Sequence, residues 1–296
     1  MTVLAPNQMA AIPRLFSSSV VRELARKGKS PLFARLARQA LLFDSLSVSR
    51  CVHDLFDFAF SLLQREGYRD EYVYRTALTQ KILLGKHSLQ TASMLNEFRV
   101  GECKADVAIL NGTATVYEIK SERDSLVRLQ KQIEAYATVF AKVYVVASES
   151  HIAAVQRLVP HEVGIYCLNR RYQISPVQDA VERPECTSAL AIFDSIRTQE
   201  ARLILQSNDV KIPDVPNTLL HGVLRDLFAK LPPVRAHAGM VEVLKKTRNL
   251  LPLSALITQL PTSLHSAALA MPLRKVDHSR LVTAVNTPLG DAAAWA

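Results

Sequence analysis

The chain has 296 residues and is 49% hydrophobic, which is enough for one large domain or two smaller ones with a real core. Lys and Arg outnumber Asp and Glu by 36 to 27, a basic balance that suits nucleic acid or an acidic membrane surface without indicating a fold. There is no apolar run of membrane-spanning length and no secretion signal, so we expect a cytoplasmic protein that makes no membrane contact. The cysteines have no metal-finger spacing and are predicted to be reduced and mostly buried thiols: Cys51, Cys103, Cys167 and Cys186.

Residues 1–50 predict a basic helical arm of two short helices. They contain eight basic residues against two acidic ones. Ser30-Pro31 is typical of a helix start, because Ser caps the first turn and Pro fits its first position. Such an arm is as compatible with contacts to a DNA backbone as with a solvated face.

Residues 51–175 predict an α/β core domain. An amphipathic helix over 52–66 and a second helix over 71–84 come first. Residues 124–140 and 149–158 have helical periodicity again, and short runs of strand-forming residues come before, between and after them. The predicted strands are 95–100, 104–110, 114–120, 143–147 and 163–168. This order predicts a mixed sheet flanked by helices, with an antiparallel hairpin inside it.

The remaining chain predicts an all-α appendage. Residues 176–185 have the prolines and charges of a linker. Helical patterns over 187–206 and 218–230, followed by a proline-rich remainder, indicate a small helical accessory domain over 187–296. It is predicted to cap the core or to recognise a target, and it leaves open a homodimer or a protein partner bound through these helices.

The hairpin carries the residues that suggest chemistry. Glu118 and Lys120 are two apart on a strand and therefore share a face of the sheet. Asp106 lies on the preceding strand and can bring a second carboxylate close. Two carboxylates suit a hard cation such as Mg²⁺, which prefers oxygen ligands.

The register of the hairpin decides whether that site forms. A two-residue loop at Asn111-Gly112 would pair Asp106 with Tyr117 and place Glu118 on the opposite face. A three-residue loop that includes Thr113 would place Asp106 directly opposite Glu118, and glycine suits the left-handed position of such a loop.

These residues resemble the signature of the PD-(D/E)XK nuclease superfamily. Asp106, the run Glu118-Ile119-Lys120, and Gln132 with Tyr136 on the next helix correspond to its typical Asp, Glu-x-Lys and Gln-x-x-x-Tyr. Ala105 stands where the superfamily's name expects Pro. The resemblance covers roughly residues 52–170, and within the superfamily residues 103–136 are similar to an uncharacterised bacterial family.

The resemblance implies a restriction-endonuclease-like fold and a metal-dependent active site. Asp106 and Glu118, with the backbone carbonyl of Ile119, would coordinate Mg²⁺ or Mn²⁺. Glu97 would supply the upstream acidic group that binds the metal or a metal-bound water. Lys120 would orient or deprotonate the attacking water and stabilise charge on the phosphate.

The helix that follows predicts contacts to nucleic acid. Asp124, Arg128, Gln132 and Tyr136 recur at four-residue spacing and form one stripe. We expect Arg128 to hold a phosphate, Gln132 to bind the phosphate or a metal-bound water, and Tyr136 to stack or hydrogen-bond nearby. Arg128 and Gln132 are predicted to face the carboxylates, while an apolar seam packs on the sheet: Leu126, Leu129 and Ile133.

The hypothesis is therefore a Mg²⁺-dependent nuclease that hydrolyses phosphodiester bonds, with DNA as the expected substrate. One alternative is a module of the same fold that binds nucleic acid without cutting it. The other is a protein-interaction module, in which the helical tail binds a partner and the carboxylates are surface charges.

Overall fold

The fold is built on one six-stranded sheet, seen in a computed structural model that describes residues 5–295. The strands are β1 (Ser93–Val100), β2 (Cys103–Asn111), β3 (Thr113–Lys120), β4 (Lys142–Ser148), β5 (Gly164–Leu168) and β6 (Ile174–Gln178). They lie side by side in chain order. The pairs β1–β2, β2–β3 and β5–β6 are antiparallel, and β3–β4 and β4–β5 are parallel. The predicted mixed sheet with an internal antiparallel hairpin is confirmed.

The described α-helices precede, interrupt and follow the sheet. They are α1 (Pro6–Leu15), α2 (Ser18–Lys27), α3 (Pro31–Gln39), α4 (Val52–Leu63), α5 (Glu71–Leu78), α6 (Leu129–Ala137), α7 (Ile152–Leu158), α8 (Ala189–Ser195), α9 (Thr198–Ser207), α10 (Asn217–Phe228), α11 (Pro233–Thr247), α12 (Ser254–Ile257), α13 (His265–Leu269), α14 (Lys275–Val285) and α15 (Leu289–Ala293). Within residues 5–295 no helix combines the length and the apolar character that crossing a membrane requires.

The chain divides into two compact units that differ from the predicted domains. One contains residues 81–251, and the other combines the described residues up to 80 with those from 252 onward. The predicted boundaries at 50 and 187 do not coincide with this division. The reason is that a helical pattern shows which face is apolar but not which partner that face will contact.

The N-terminal residues are part of a helical unit instead of a separate arm. They form three helices, not the predicted two, and α1 packs on α3 and α4 while α2 packs on α14. Ser30 Oγ accepts a hydrogen bond from the backbone N–H of Phe33 at 3.0 Å, and Pro31 is the first residue of α3, so the predicted helix start is confirmed. Helix α4 buries the predicted apolar face: Val52, Leu55, Phe56, Ala59, Leu62 and Leu63.

In the sheet unit, helices cover one face through a continuous apolar core. Helix α6 packs on β2 and β4, α8 on β1, and α11 on β2 and β3. The predicted appendage is therefore split, because α8 to α11 cover the sheet and the segment from 252 belongs to the other unit. The predicted helix 187–206 also breaks at Arg197, whose backbone N–H is capped by the Glu200 carboxylate at 2.8 Å.

Two further differences concern the edge of the sheet and its second face. Strand β6 occupies part of the predicted linker and contains Pro176, which an edge strand tolerates because one side of its backbone needs no ladder partner. On the second face the rings of Tyr117, Tyr144 and Tyr166 are stacked, with centroids 5.6 Å apart for the first pair and 4.6 Å for the second. None of the four cysteines forms a disulfide, and Cys167 is the one that is buried.

Candidate functional site

The β2–β3 hairpin has the register that places the two carboxylates on one face. Asn111 pairs with Thr113, and Leu110 pairs with Ala114, around Gly112 in the left-handed conformation at φ +71°. This is the register of the three-residue loop, and it excludes the two-residue alternative. Continued beyond the last ladder pair, it sets Asp106 opposite Glu118.

Asp106 makes a side-chain hydrogen bond to β3 just beyond the point where the backbone pairing of β2 and β3 ends. The ladder between β2 and β3 ends at Val107 and Tyr117. One residue beyond, Oδ2 of Asp106 accepts a hydrogen bond from the backbone N–H of Ile119 at 2.8 Å. The half-buried carboxylate is therefore held against β3 at Ile119, the residue that follows Glu118.

Glu118 is a buried carboxylate with donors on both oxygens. The residue is only 2% exposed. Its Oε1 accepts from Lys120 Nζ at 2.8 Å and from Gln132 Nε2 at 2.5 Å, and its Oε2 accepts from the Tyr136 hydroxyl at 2.9 Å. One charged donor, the Lys120 ammonium, and two neutral donors together offset the cost of removing the carboxylate from water.

Lys120 completes the contact between strand and helix. It is 6% exposed, and besides Glu118 its ammonium donates to Oε1 of Gln132 at 3.0 Å. Because strand residues two apart share a face, β3 directs Glu118 and Lys120 together toward α6. We call Asp106, Glu118, Lys120, Gln132 and Tyr136 the polar cluster.

Tyr136 links the polar cluster to β2. Its hydroxyl oxygen lies 2.9 Å from Glu118 Oε2 and 3.0 Å from the backbone carbonyl oxygen of Lys104. Burial, reinforced by the Glu118 carboxylate, raises the pKa of Tyr136 far above its ordinary value. The hydroxyl therefore keeps its proton and acts as a donor.

Helix α6 is shorter than predicted, which separates Arg128 from the polar cluster. The helix begins at Leu129 instead of near 124, because the Asp124 carboxylate closes a turn on the Ser121 N–H and hydroxyl at 2.8 and 2.6 Å. Arg128 is exposed at the N-cap and makes no side-chain hydrogen bond or ion pair within residues 5–295. Only Gln132 and Tyr136 of the predicted stripe reach the cluster.

The apolar seam of α6 packs as predicted. Leu129 and Ile133 are buried in the sheet core, and Leu126, just before the helix, is partly buried against it. The seam therefore fixes the rotation of α6 and turns Gln132 and Tyr136 toward β3.

Glu97 lies in the same row of the sheet but does not join the polar cluster. The pairs Asn96–Val107 and Phe98–Ala105 place it opposite Asp106. Its backbone is left-handed, at φ +54°, and its exposed carboxylate lies 3.1 Å from Lys104 Nζ. Within the described chain, the carboxylates of Glu97, Asp106 and Glu118 do not come together as a three-ligand group.

Two partners of the site were not predicted from the sequence. Ser121 follows Lys120 directly and is buried, and its spacing to Asp124 is the Ser-x-x-Asp pattern of a capping turn, which could have indicated the late helix start. The Lys104 carbonyl had no signal in the sequence, because it receives Tyr136 only through the packing of α6 on β2.

The arrangement suits binding of a cation with hard ligands. Asp106 and Glu118 offer carboxylate oxygens on one face, with the Ile119 backbone between Glu118 and Lys120 in sequence. Mg²⁺ is commonly bound by one or two carboxylates while it keeps several waters. These two carboxylates would hold such an ion, without Glu97, once it displaces a hydrogen-bond donor from Glu118.

Fold and site together define an α/β protein with a buried polar cluster at the end of an antiparallel hairpin. The family model of bacteriophage P4 protein cII matches residues 64–246, more than half of the chain, so the chain belongs to that family. Protein cII of Enterobacteria phage P4 is 36% identical over 85 residues, which are 28% of this chain and 32% of that protein. The match thus spans about a third of the curated relative's length.

One solved structure also shows a likeness. It is a protein of unknown function from Silicibacter pomeroyi, 20% identical, and the match covers 40% of this chain and 82% of that one. Its TM-score of 0.29 is too low to support an argument about fold or function.

Proposed function

We propose that this protein is a metal-dependent nuclease that hydrolyses phosphodiester bonds of nucleic acid, with DNA as the expected substrate. The observation that carries the proposal is the convergence of Glu118, Lys120 and Gln132, with Asp106 opposite Glu118 across the hairpin. Two carboxylates and an ammonium on one face are the groups that phosphodiester hydrolysis needs.

Asp106 and Glu118, with the Ile119 carbonyl, would hold Mg²⁺ or Mn²⁺. When bound, the ion would make hydroxide available near neutral pH and offset negative charge on the phosphate. Both carboxylates already have defined orientations, Asp106 through the Ile119 N–H and Glu118 through Tyr136.

Lys120 would contribute its positive charge to the same place. Its ammonium now donates to Glu118 and Gln132, which hold it on the α6 side of β3. Beside a phosphate, the ammonium would stabilise developing negative charge in a site from which water is largely excluded. Gln132 would be released from Glu118 to donate its amide N–H to a phosphate oxygen.

Arg128 and Glu97 would act at the rim of the site. Arg128 is exposed at the start of α6 and would contact the nucleic-acid backbone. Glu97 faces Lys104 in solvent, so its proposed role is reduced to a contact with a metal-bound water. The cytoplasmic location and a homodimer or protein partner through the C-terminal helices stay predictions.

The test is cleavage of plasmid, linear and single-stranded DNA by the full chain with Mg²⁺ or Mn²⁺. We expect Asp106→Asn and Glu118→Gln to lose at least about 100-fold in rate, since each weakens a ligand while keeping an acceptor oxygen. Glu102→Gln is the matched control, because Glu102 is an exposed acidic residue at the β1–β2 turn and should leave the rate unchanged. Full activity in either site variant, with the control equally active, would refute the proposal.

A non-cleaving nucleic-acid-binding module is the second candidate, favoured by the closure of Glu118. A carboxylate that is 2% exposed, with donors on both oxygens, has the pattern of a buried structural network. This candidate predicts DNA binding without cleavage in any divalent metal, and no rise in melting temperature on adding Mn²⁺. A metal-dependent rise that Asp106→Asn removes would favour the nuclease.

A further inference from the structure

A second group of metal-binding side chains lies in the helical unit, at the start of α4. Cys51, His53 and Asp54 each present one ligand atom, and these three atoms lie within 4.8 Å of one another. All three residues are half-buried. None of them belongs to the polar cluster, so a metal bound by this group would be independent of the proposed nuclease activity.

Backbone hydrogen bonds between residues 50–52 and residues 287–289 hold this group in place. The backbone N–H of Leu289 donates to the Arg50 carbonyl at 2.7 Å, and the Val52 N–H donates to the Thr287 carbonyl at 3.0 Å. Cys51 forms a β-bridge with Pro288 between them. Preorganised backbone lowers the entropy that ligands lose when they bind an ion.

The orientation of His53 leaves one ring nitrogen for a ligand. Its Nδ1 lies 3.2 Å from the Val285 backbone carbonyl, which can only accept, so Nδ1 carries the proton. In neutral imidazole the other nitrogen, Nε2, is then an acceptor. An imidazole held by a backbone carbonyl in this way is the usual arrangement of a metal-ligating histidine.

That nitrogen faces another acceptor. His53 Nε2 lies 3.6 Å from Oδ2 of Asp54, which also accepts from the Cys51 N–H at 2.8 Å. Two acceptors that face each other repel, and a second ring proton or a cation between them relieves that repulsion. The Cys51 thiol beside them supplies a soft donor that a ring proton would not use.

We propose that Cys51, His53 and Asp54 bind a transition-metal ion of the Zn²⁺ class. Tetrahedral Zn²⁺ with sulfur, nitrogen and oxygen ligands separates those atoms by about 3.3–3.7 Å, and the His53–Asp54 distance already matches. Cys51 Sγ lies within 4.8 Å of both of these ligand atoms and would complete the set by a side-chain rotation. Binding releases the thiol proton to solvent and leaves the fourth position for water.

The second carboxylate oxygen of Asp54 has its own partner. Arg50 Nη1 lies 3.5 Å from Oδ1, so Oδ2 is the oxygen turned toward His53. Mg²⁺ is not the expected ion, because it prefers oxygen ligands and a thiolate with an imidazole selects softer metals.

The test is Co²⁺ titration of the full chain after treatment with a chelator. We expect one equivalent to produce a thiolate-to-cobalt charge-transfer absorption, which added Zn²⁺ abolishes. Cys51→Ser should remove the band, and Ser is an N-cap residue that α4 tolerates. His53→Gln and Asp54→Asn should each weaken Co²⁺ binding by at least about tenfold. Asn keeps the acceptor that caps the Cys51 N–H.

Cys186→Ser is the matched control, because this exposed thiol lies in the sheet unit and should leave the band intact. A wild-type chain without a thiolate band, or a band that survives Cys51→Ser, would overturn the proposal. Undiminished Co²⁺ affinity in His53→Gln would also overturn it.

Discussion

The Tyr136 hydroxyl lies 2.9 Å from Oε2 of Glu118, which joins helix α6 to strand β3 through a buried carboxylate. Tyr136→Phe removes this donor and leaves the carboxylate oxygen without its partner. We expect a loss of about 1–3 kcal/mol in the free energy of unfolding, measured by urea denaturation. Tyr117→Phe is the control on strand β3, which also carries Glu118, because within residues 5–295 the Tyr117 hydroxyl makes no hydrogen bond. Equal effects of the two changes would show that the Tyr136 contact contributes nothing specific.

The Glu118–Lys120 ion pair predicts that a single substitution destabilises the protein more than the double substitution does. Lys120→Met leaves Glu118 buried without its cation and should cost about 3–5 kcal/mol, whereas adding Glu118→Gln should recover most of that loss. Equilibrium unfolding of both variants measures the difference. The exposed Lys131–Glu102 pair is the comparison, and Lys131→Met should leave stability nearly unchanged. A small effect of Lys120→Met alone would mean that water replaces the ammonium at Glu118.

Two glycines predict opposite responses to alanine. A Cβ on Gly164 would overlap a ring carbon of Tyr144 and lie 2.8 Å from the Ala180 backbone nitrogen, so Gly164→Ala should destabilise by about 1–3 kcal/mol. In α10 a Cβ on Gly222 meets nothing within 4 Å, so Gly222→Ala should stabilise by about 0.5–1 kcal/mol. Thermal melting of both variants tests the pair. A tolerated Gly164→Ala would mean that the stacked tyrosines can shift.

His237 predicts that the protein loses stability in mild acid. Burial lowers the pKa of His237 from its ordinary 6.5 to about 4, although Glu182 acts in the opposite direction. Between these two values the unfolded chain binds a proton that the folded chain does not, so stability falls as the pH falls through this window. The loss is on the order of 3 kcal/mol once the pH is below 4.

The measurement is the free energy of unfolding at several values between pH 7 and pH 4. His237→Leu should weaken this dependence, because the variant lacks the buried imidazole that gains a proton on unfolding. His161→Gln, which changes an exposed ring, should keep the wild-type slope. If His237→Leu keeps the wild-type pH dependence of the free energy of unfolding, other groups cause the loss of stability in acid.

Arg128 predicts a salt-dependent part of nucleic-acid binding. Arg128→Ala should weaken binding more at low salt than at high salt, and should reduce the slope of log affinity against log salt by about 1. Fluorescence anisotropy with labelled DNA at several salt concentrations measures both quantities. Arg157→Ala is the control, since this exposed arginine donates to the Ala153 carbonyl of its own helix. An unchanged slope in Arg128→Ala would leave Arg128 as a surface charge.

Local patterns in the sequence were sufficient for β1 to β5 and for part of the site. Side chains alternate along a strand, so Glu118 and Lys120 had to share a face, and Gly112 was the residue suited to the left-handed loop position that sets the register. The apolar seam of α6 likewise determined that Gln132 would turn toward them. Each of these relationships spans a few residues or one hairpin, so neighbouring sequence contains the information.

Tertiary packing decided the rest. Whether Glu118 is buried, and whether Glu97 turns to Lys104 or to Asp106, depends on side chains that meet only after the sheet and its helices assemble. The same holds for the residues from 252 onward, which join the N-terminal helices instead of those just before them. Periodicity in a sequence specifies which face of an element is apolar, but the partner of that face is set by the free energy of the whole assembled core.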